Sequence, residues 1–127
     1  QALTAHGTGL NLCLALNYGA HDEILDAARR LAAQAAARQL DPDAIDPRTF
    51  EGALFTAGMP PVDLLIRTSG EQRISNFMLW EIAYAELVFV EVLWPEFRRT
   101  HLHACLETYA KRERRFGLTS AQLAEDV

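Results

Sequence analysis

VDLLIRTSGEQRISNFMLWEIAYAELVFVEVLW occupies residues 62–94 and sets the fold class. It opens with a short apolar run, Val62–Ile66, with Asp63 inside it, and closes with another, Leu87–Leu93, rich in β-formers. Short apolar runs bounded by turn signals read as strands. Between them lie a polar segment, Arg67–Phe77, and a stretch from Asn76 to Ala85 that reads as a helix carrying Phe77, Leu79, Trp80, Ile82 and Ala83. Strands alternating with helices predict an α/β domain with a largely parallel sheet and flanking helices.

The flanks extend this pattern. LNLCLAL, Leu10–Leu16, reads as a further buried strand that ends at the turn NYG. Asp22–Leu40 is rich in alanine and predicts a helix, with Asp22 and Glu23 at its N-terminal end and Arg38 at the other. DPDAIDP, Asp41–Pro47, is a connector, and Asp46 with Pro47 forms an N-cap and first turn for a helix through Ala57. Trp94-Pro95 breaks the last strand, and Arg98–Phe116 predicts a final helix capped by Gly117. Three strands make a poor sheet when both faces must be covered, and the chain enters a strand pattern abruptly after Gln1. Residues 1–127 therefore read as a single partial domain.

The chain has 127 residues, of which 50% are hydrophobic and 23% charged, as in a folded domain. Its net charge is -5, with 12 basic and 17 acidic residues, which argues against a general nucleic-acid binder. Cys13 and Cys105 sit among apolar neighbours and read as free, buried thiols of a reducing compartment, hence a cytoplasmic protein. The longest apolar stretch is interrupted by Glu81, Glu86 and Glu91, too often for a membrane span.

Ligands of α/β sheets bind beyond the carboxyl ends of the strands. Arg67 reads as the first residue past such an end. Thr68, Ser69 and Gly70 predict a tight turn with free amides, and Arg73 and Ser75 precede a helix start near Asn76. Arginines and hydroxyls at a helix N-terminus make an anion site, and two guanidinium groups match a phosphate or diphosphate. The plainer reading has these arginines paired with Glu71, Asp63 or Glu86 and merely closing the loop. The whole cluster at a strand-to-helix junction favours the anion site, with Glu71 holding the arginines in place or helping to bind a cation. Glu86 has two open readings, an ion pair with Arg67 or Arg73 and a Mg²⁺ ligand beside a diphosphate.

Other candidates are weaker. His101 and His103 lie two apart on a helix and cannot share a metal. Trp80, Tyr84, Phe89 and Trp94 suit packing, and KRERRF, Lys111–Phe116, suits a helix end in solvent.

The stretch DLLIRTSGEQRISNFMLWEIAYAELVFVEVLWPEF closely resembles the C-terminal signature of the cis-prenyltransferases, the undecaprenyl diphosphate synthase family. LNYGAHDEI is similar to a second segment of that family, and YAKRERRFG to its closing motif. The resemblance runs from about Gly9 to Gly117. It implies condensation of isopentenyl diphosphate onto an allylic diphosphate, commonly farnesyl diphosphate, by a Mg²⁺-dependent homodimer touching membrane at most through its lipid product. Arg67, Arg73, Ile74 and Ser75 match the residues around the isopentenyl diphosphate head group, and Glu86 matches the carboxylate that helps bind Mg²⁺. Arg115 and Gly117 match an R-x-G element that reaches the neighbouring subunit's diphosphate, and Trp80 matches part of the dimer interface.

The family's catalytic aspartate lies in an N-terminal half that these residues do not resemble. Two local departures stand out, Ala20-His21 in place of Gly-Arg and Gln72 where histidine is frequent. Three functional readings result: the isopentenyl diphosphate half of an isoprenyl transferase, a non-catalytic partner subunit, and a fragment without activity of its own.

Overall fold

The computed structural model describes residues 6–112. Its elements, in chain order, are α1 (Ala20–Ala36), α2 (Pro47–Glu51), β1 (Leu64–Arg67), β2 (Glu86–Phe89) and α3 (Arg99–Ala110), with single 3₁₀ turns at Pro42–Ala44 and Trp94–Glu96.

Helix α1 forms where alanine is abundant, and its buried positions Ala20, Glu23, Ala27 and Leu31 recur at helical spacing along one face. It stops short of Leu40 because Arg38 turns left-handed, with φ 56°. The amides of Arg38 and Gln39 then donate to Ala35 O and Gln34 O, closing the helix end. Helix α2 starts as its sequence dictates. Asp46 Oδ1 accepts from both the amide and the hydroxyl of Thr49, each at 2.7 Å, and Pro47 fills the first turn. It ends at Glu51, not Ala57. From there tighter turns carry Ala53 and Leu54 inward, where they join Ala27 and Leu31 in a core flanked by Leu40 and Phe50.

Strands β1 and β2 pair in parallel, with Leu64 opposite Glu86 and Arg67 opposite Phe89. The pairing continues past the strands, because Val90 N–H donates to Arg67 O at 2.8 Å and Gly70 N–H to Val90 O at 2.9 Å. Helix α3 packs on β2 and buries Cys105 there. Burial pushes the Cys105 thiol's pKa up. Its start is held by His101, whose Nδ1 accepts the Arg98 amide at 2.9 Å. Its far end is pinned by Arg112, which donates to Glu86 Oε2 at 2.7 Å and to Leu87 O at 2.8 Å.

Three sequence expectations are corrected. Residues 10–16 form no strand: Leu10, Leu12, Leu14 and Leu16 are between 72% and 91% exposed, and Cys13 is exposed with them. A strand needs a neighbouring ladder for its amides, and among the described residues none lies beside this segment. Residues 76–85 form bends and turns, and the left-handed φ values of Ser75, Asn76 and Met78, 56°, 60° and 48°, bar a helix from the first part of the stretch. A helix cannot propagate through such residues. The expected helix from Arg98 to Phe116 runs from Arg99 to Ala110, and its expected cap at Gly117 lies outside the described residues.

The turns at 76–85 are nevertheless firmly docked. Phe77 meets the Tyr18 ring edge-on at 5.6 Å, Trp80 packs on Phe50 at 4.6 Å, and Glu81 accepts the Thr56 hydroxyl at 2.6 Å. Behind them sits Glu23, a carboxylate only 1% exposed. It is satisfied by the Tyr18 hydroxyl and by the amide of Phe55 at 2.8 Å. Such a buried charge persists only when it is fully hydrogen-bonded.

Tyr18→Phe keeps the ring and removes one of these donors, so it is expected to cost about 1–3 kcal/mol in a denaturant titration. Burial, then the bond to Glu23 and the charges of Glu81 and Glu23, raise the Tyr18 pKa well above the free phenol's. The wild type's extra stability from this group is therefore complete below the unfolded value near pH 10 and lost as pH rises through the folded one. Stability measured against pH in Tyr18→Phe should lack that alkaline component.

Candidate diphosphate-binding site

Arg67 is the last residue of β1, one position earlier than the sequence suggested. Its guanidinium takes no carboxylate partner among the described residues, and its Nε is buried without a hydrogen-bond partner. A buried guanidinium N–H left open is costly, and an anion is the ligand that relieves it. Beyond it the loop carries Arg73, whose side chain is 71% exposed and lies 2.5 Å from a Glu71 oxygen. This pair is the one the plainer sequence reading named, and the anion-site reading uses it too. Ile74 is half-buried, and Ser75 is exposed.

The loop's amides behave otherwise than expected. Those of Ser69 and Gly70 are not free, since they donate to Val92 O and Val90 O, both at 2.9 Å. These bonds extend the β1–β2 ladder past the strand end, so the Ser69 and Gly70 amides are not available to an anion. The helix N-terminus expected at Asn76 is also absent, for the conformational reason given above.

Asn76, read from the sequence only as a helix start, proves to be a structural hub. Its carbonyl accepts the Ala20 amide and its Oδ1 the His21 amide, both at 2.9 Å. Helix α1 has no capping side chain of its own at Gly19, so a residue from a distant loop supplies the cap. Gly19 permits this approach, because a Cβ there would lie 2.9 Å from Asn76 Nδ2. The departure Ala20-His21 leaves this contact whole, since it uses only backbone amides. The one hint in the sequence is that asparagine tolerates left-handed backbone.

Glu86 opens β2 opposite Leu64, three rungs from the Arg67–Phe89 pair, about 10 Å along the strand. Its carboxylate pairs with Arg112, where the sequence reading had considered Arg67 or Arg73. Among the described residues no group of three His, Cys, Asp or Glu side chains gathers for a metal. The donors present thus fit Mg²⁺ only as one carboxylate completed by ligand oxygens and water. Arg115 and Gly117 lie outside the described residues. Among the described residues no helix is long and apolar enough to cross a membrane.

A prenyltransferase family model, described as "Putative undecaprenyl diphosphate synthase", matches residues 1–117. The chain belongs to this family. An isoprenyl transferase of Zymomonas mobilis is 54% identical over 115 residues, covering 91% of this chain and 46% of that protein. A ditrans,polycis-undecaprenyl-diphosphate synthase of Haemophilus ducreyi, named as (2E,6E)-farnesyl-diphosphate specific, is 53% identical over 117 residues, covering 92% of this chain and 48% of that protein. The chain thus spans about half the length of the curated relatives it matches. Among solved structures, lavandulyl diphosphate synthase from Lavandula x intermedia, in complex with dimethylallyl diphosphate, aligns with a TM-score of 0.86 at 42% identity. That alignment covers 91% of this chain and 50% of the synthase. The α/β class with parallel strands and flanking helices is that of this prenyltransferase fold.

Gly70 turns with φ 66°, and a Cβ there would meet open space. Gly70→Ala therefore tests backbone strain alone. It is expected to destabilise the chain by about 1–2 kcal/mol, read as a lower denaturation midpoint.

Proposed function

We propose that this chain forms the isopentenyl diphosphate side of an isoprenyl transferase. The whole enzyme would join isopentenyl diphosphate to an allylic diphosphate, farnesyl diphosphate being the expected primer, and yield a cis-polyprenyl diphosphate. The observation that carries the reading is Arg67: a guanidinium at the carboxyl end of a parallel strand, its Nε buried and without a partner among the described residues. The names of the relatives supply the prenyl diphosphate chemistry.

In this reading Arg67 and Arg73 neutralise the diphosphate of isopentenyl diphosphate and fix its direction. Planar guanidinium forks suit this role, because each can meet two phosphate oxygens at once. Glu71 pairs with Arg73 in the exposed loop and gives it a preferred direction before the ligand arrives. Ser75 offers a hydroxyl to the same head group, and Ile74 lies between the two. With its head group held, the homoallylic double bond faces the carbon from which the allylic diphosphate departs. A carbon–carbon bond forms there and a proton leaves the adduct. Glu86 would hold Mg²⁺ only on giving up its pair with Arg112, three rungs from Arg67, and the ion would offset the negative charge of the diphosphate groups. Arg115 and Gly117 complete the proposed site from the neighbouring subunit of a cytoplasmic homodimer.

Arg67→Ala or Arg73→Ala in the enzyme containing this chain should raise the KM for isopentenyl diphosphate by roughly 10- to 100-fold, or abolish turnover, as expected for a lost charged hydrogen bond. Steady-state assays with radiolabelled isopentenyl diphosphate measure this, and wild-type kinetics in both variants would sink the assignment. The residue that ionises the allylic substrate is not among those matched here. The 127-residue chain alone is therefore expected to bind isopentenyl diphosphate and to make no polyprenyl product in the same assay.

A further inference from the structure

We infer that Asn76 is a positioning residue of the diphosphate site, and that the turn before α1 is thereby part of the site's framework. This rests on the diphosphate reading of Arg67, Arg73 and Ser75 and goes beyond it to a residue that touches no ligand.

Ser75 and Asn76 are consecutive left-handed residues, a conformation disfavoured for any residue with a side chain. Something must offset that cost. The Asn76 contacts to Ala20 and His21 do so. Two of the orphan amides of α1 are satisfied by one residue lying 55 positions away from His21 in sequence. The bargain is mutual, since the helix gains its cap and the loop gains a fixed end.

The loop's other end is fixed as well, by Ser69 and Gly70 on the extended ladder. Residues 71–75 are thus strung between two anchors, and both Arg73 and Ser75 lie on that span. Release of the Asn76 anchor leaves Ser75 free to relax to ordinary backbone angles. Arg73 then keeps only its exposed pair with Glu71, which by itself holds little. Preorganisation of the anion-binding side chains is therefore set at Gly19–Asn76, outside the site itself.

Three variants of the full chain test this: Asn76→Gly, which keeps the left-handed backbone but removes the side-chain acceptor; Gly19→Ala, which displaces the Asn76 side chain and leaves Asn76 in place; and Asn76→Asp, which retains the acceptor. Calorimetric titration with isopentenyl diphosphate gives the affinity of the folded chain, and hydrogen exchange reports the Ala20 and His21 amides. Asn76→Gly and Gly19→Ala should each lose protection at the His21 amide, whose acceptor is Asn76 Oδ1, and bind about tenfold more weakly, with the double variant little worse than either single one. Asn76→Asp should restore protection. A purely structural cap would lower the denaturation midpoint and leave the affinity unchanged, and that outcome overturns the inference. Arg73→Ala is the control. Loss of binding there, with wild-type affinity in Asn76→Gly, rejects the positioning role alone. No binding by the wild type, or an Arg73→Ala variant that binds normally, rejects the diphosphate reading and the inference with it.

Discussion

Parallel pairing of β1 with β2 is the constraint from which the rest of the architecture follows. Two parallel strands cannot be joined by a tight turn, because the chain must travel back the length of the ladder before it re-enters. Residues 68–85 make that return. Their polar first part emerges at the carboxyl end of β1, and their apolar second part needs a surface to cover. Tyr18, Phe50 and Thr56 provide it. The polar segment is therefore exposed at a strand end for topological reasons, and its arginines are where an anion can reach them.

The crossover also explains why one carboxylate is buried. Glu23 lies on the apolar stripe of α1, where its neighbours in the pattern are Ala20 and Ala27. It ties the Tyr18 hydroxyl to the Phe55 amide, so that α1, the segment before it and the turn after α2 share one acceptor. Asn76 performs a matching task with its carbonyl and Oδ1, which accept the Ala20 and His21 amides. Between them these two residues join parts of the chain that hydrophobic burial alone would leave free to slide, since burial is not directional.

What the sequence disclosed, and what it hid, divides along local and non-local physics. The Asp46-Pro47 start of α2, the alanine-rich α1 and the two β-rich runs were legible, because cap, propensity and composition act within a few residues. The turns at 76–85 were not, because the cap that Asn76 supplies belongs to a helix far away in sequence. LNLCLAL has the composition of a strand, yet a strand also needs a partner, and composition cannot name one. The arginines stood out as candidate anion ligands by charge and position. Whether the Ser69 and Gly70 amides were free depended on Val90 and Val92, which no pattern within the loop reveals. Arg112, within a plainly basic helix end, gave no sign that it would reach Glu86.

Because the path of residues 67–70 is held by backbone bonds to Val90 and Val92, it makes few demands on the side chains it displays. Thr68 can be exchanged for other residues without moving Arg67, whereas Ser69, with φ 69°, favours residues that tolerate left-handed backbone. The segment is a fixed frame with replaceable contents. Side chains on such a frame can change while the chain beneath them keeps the same course.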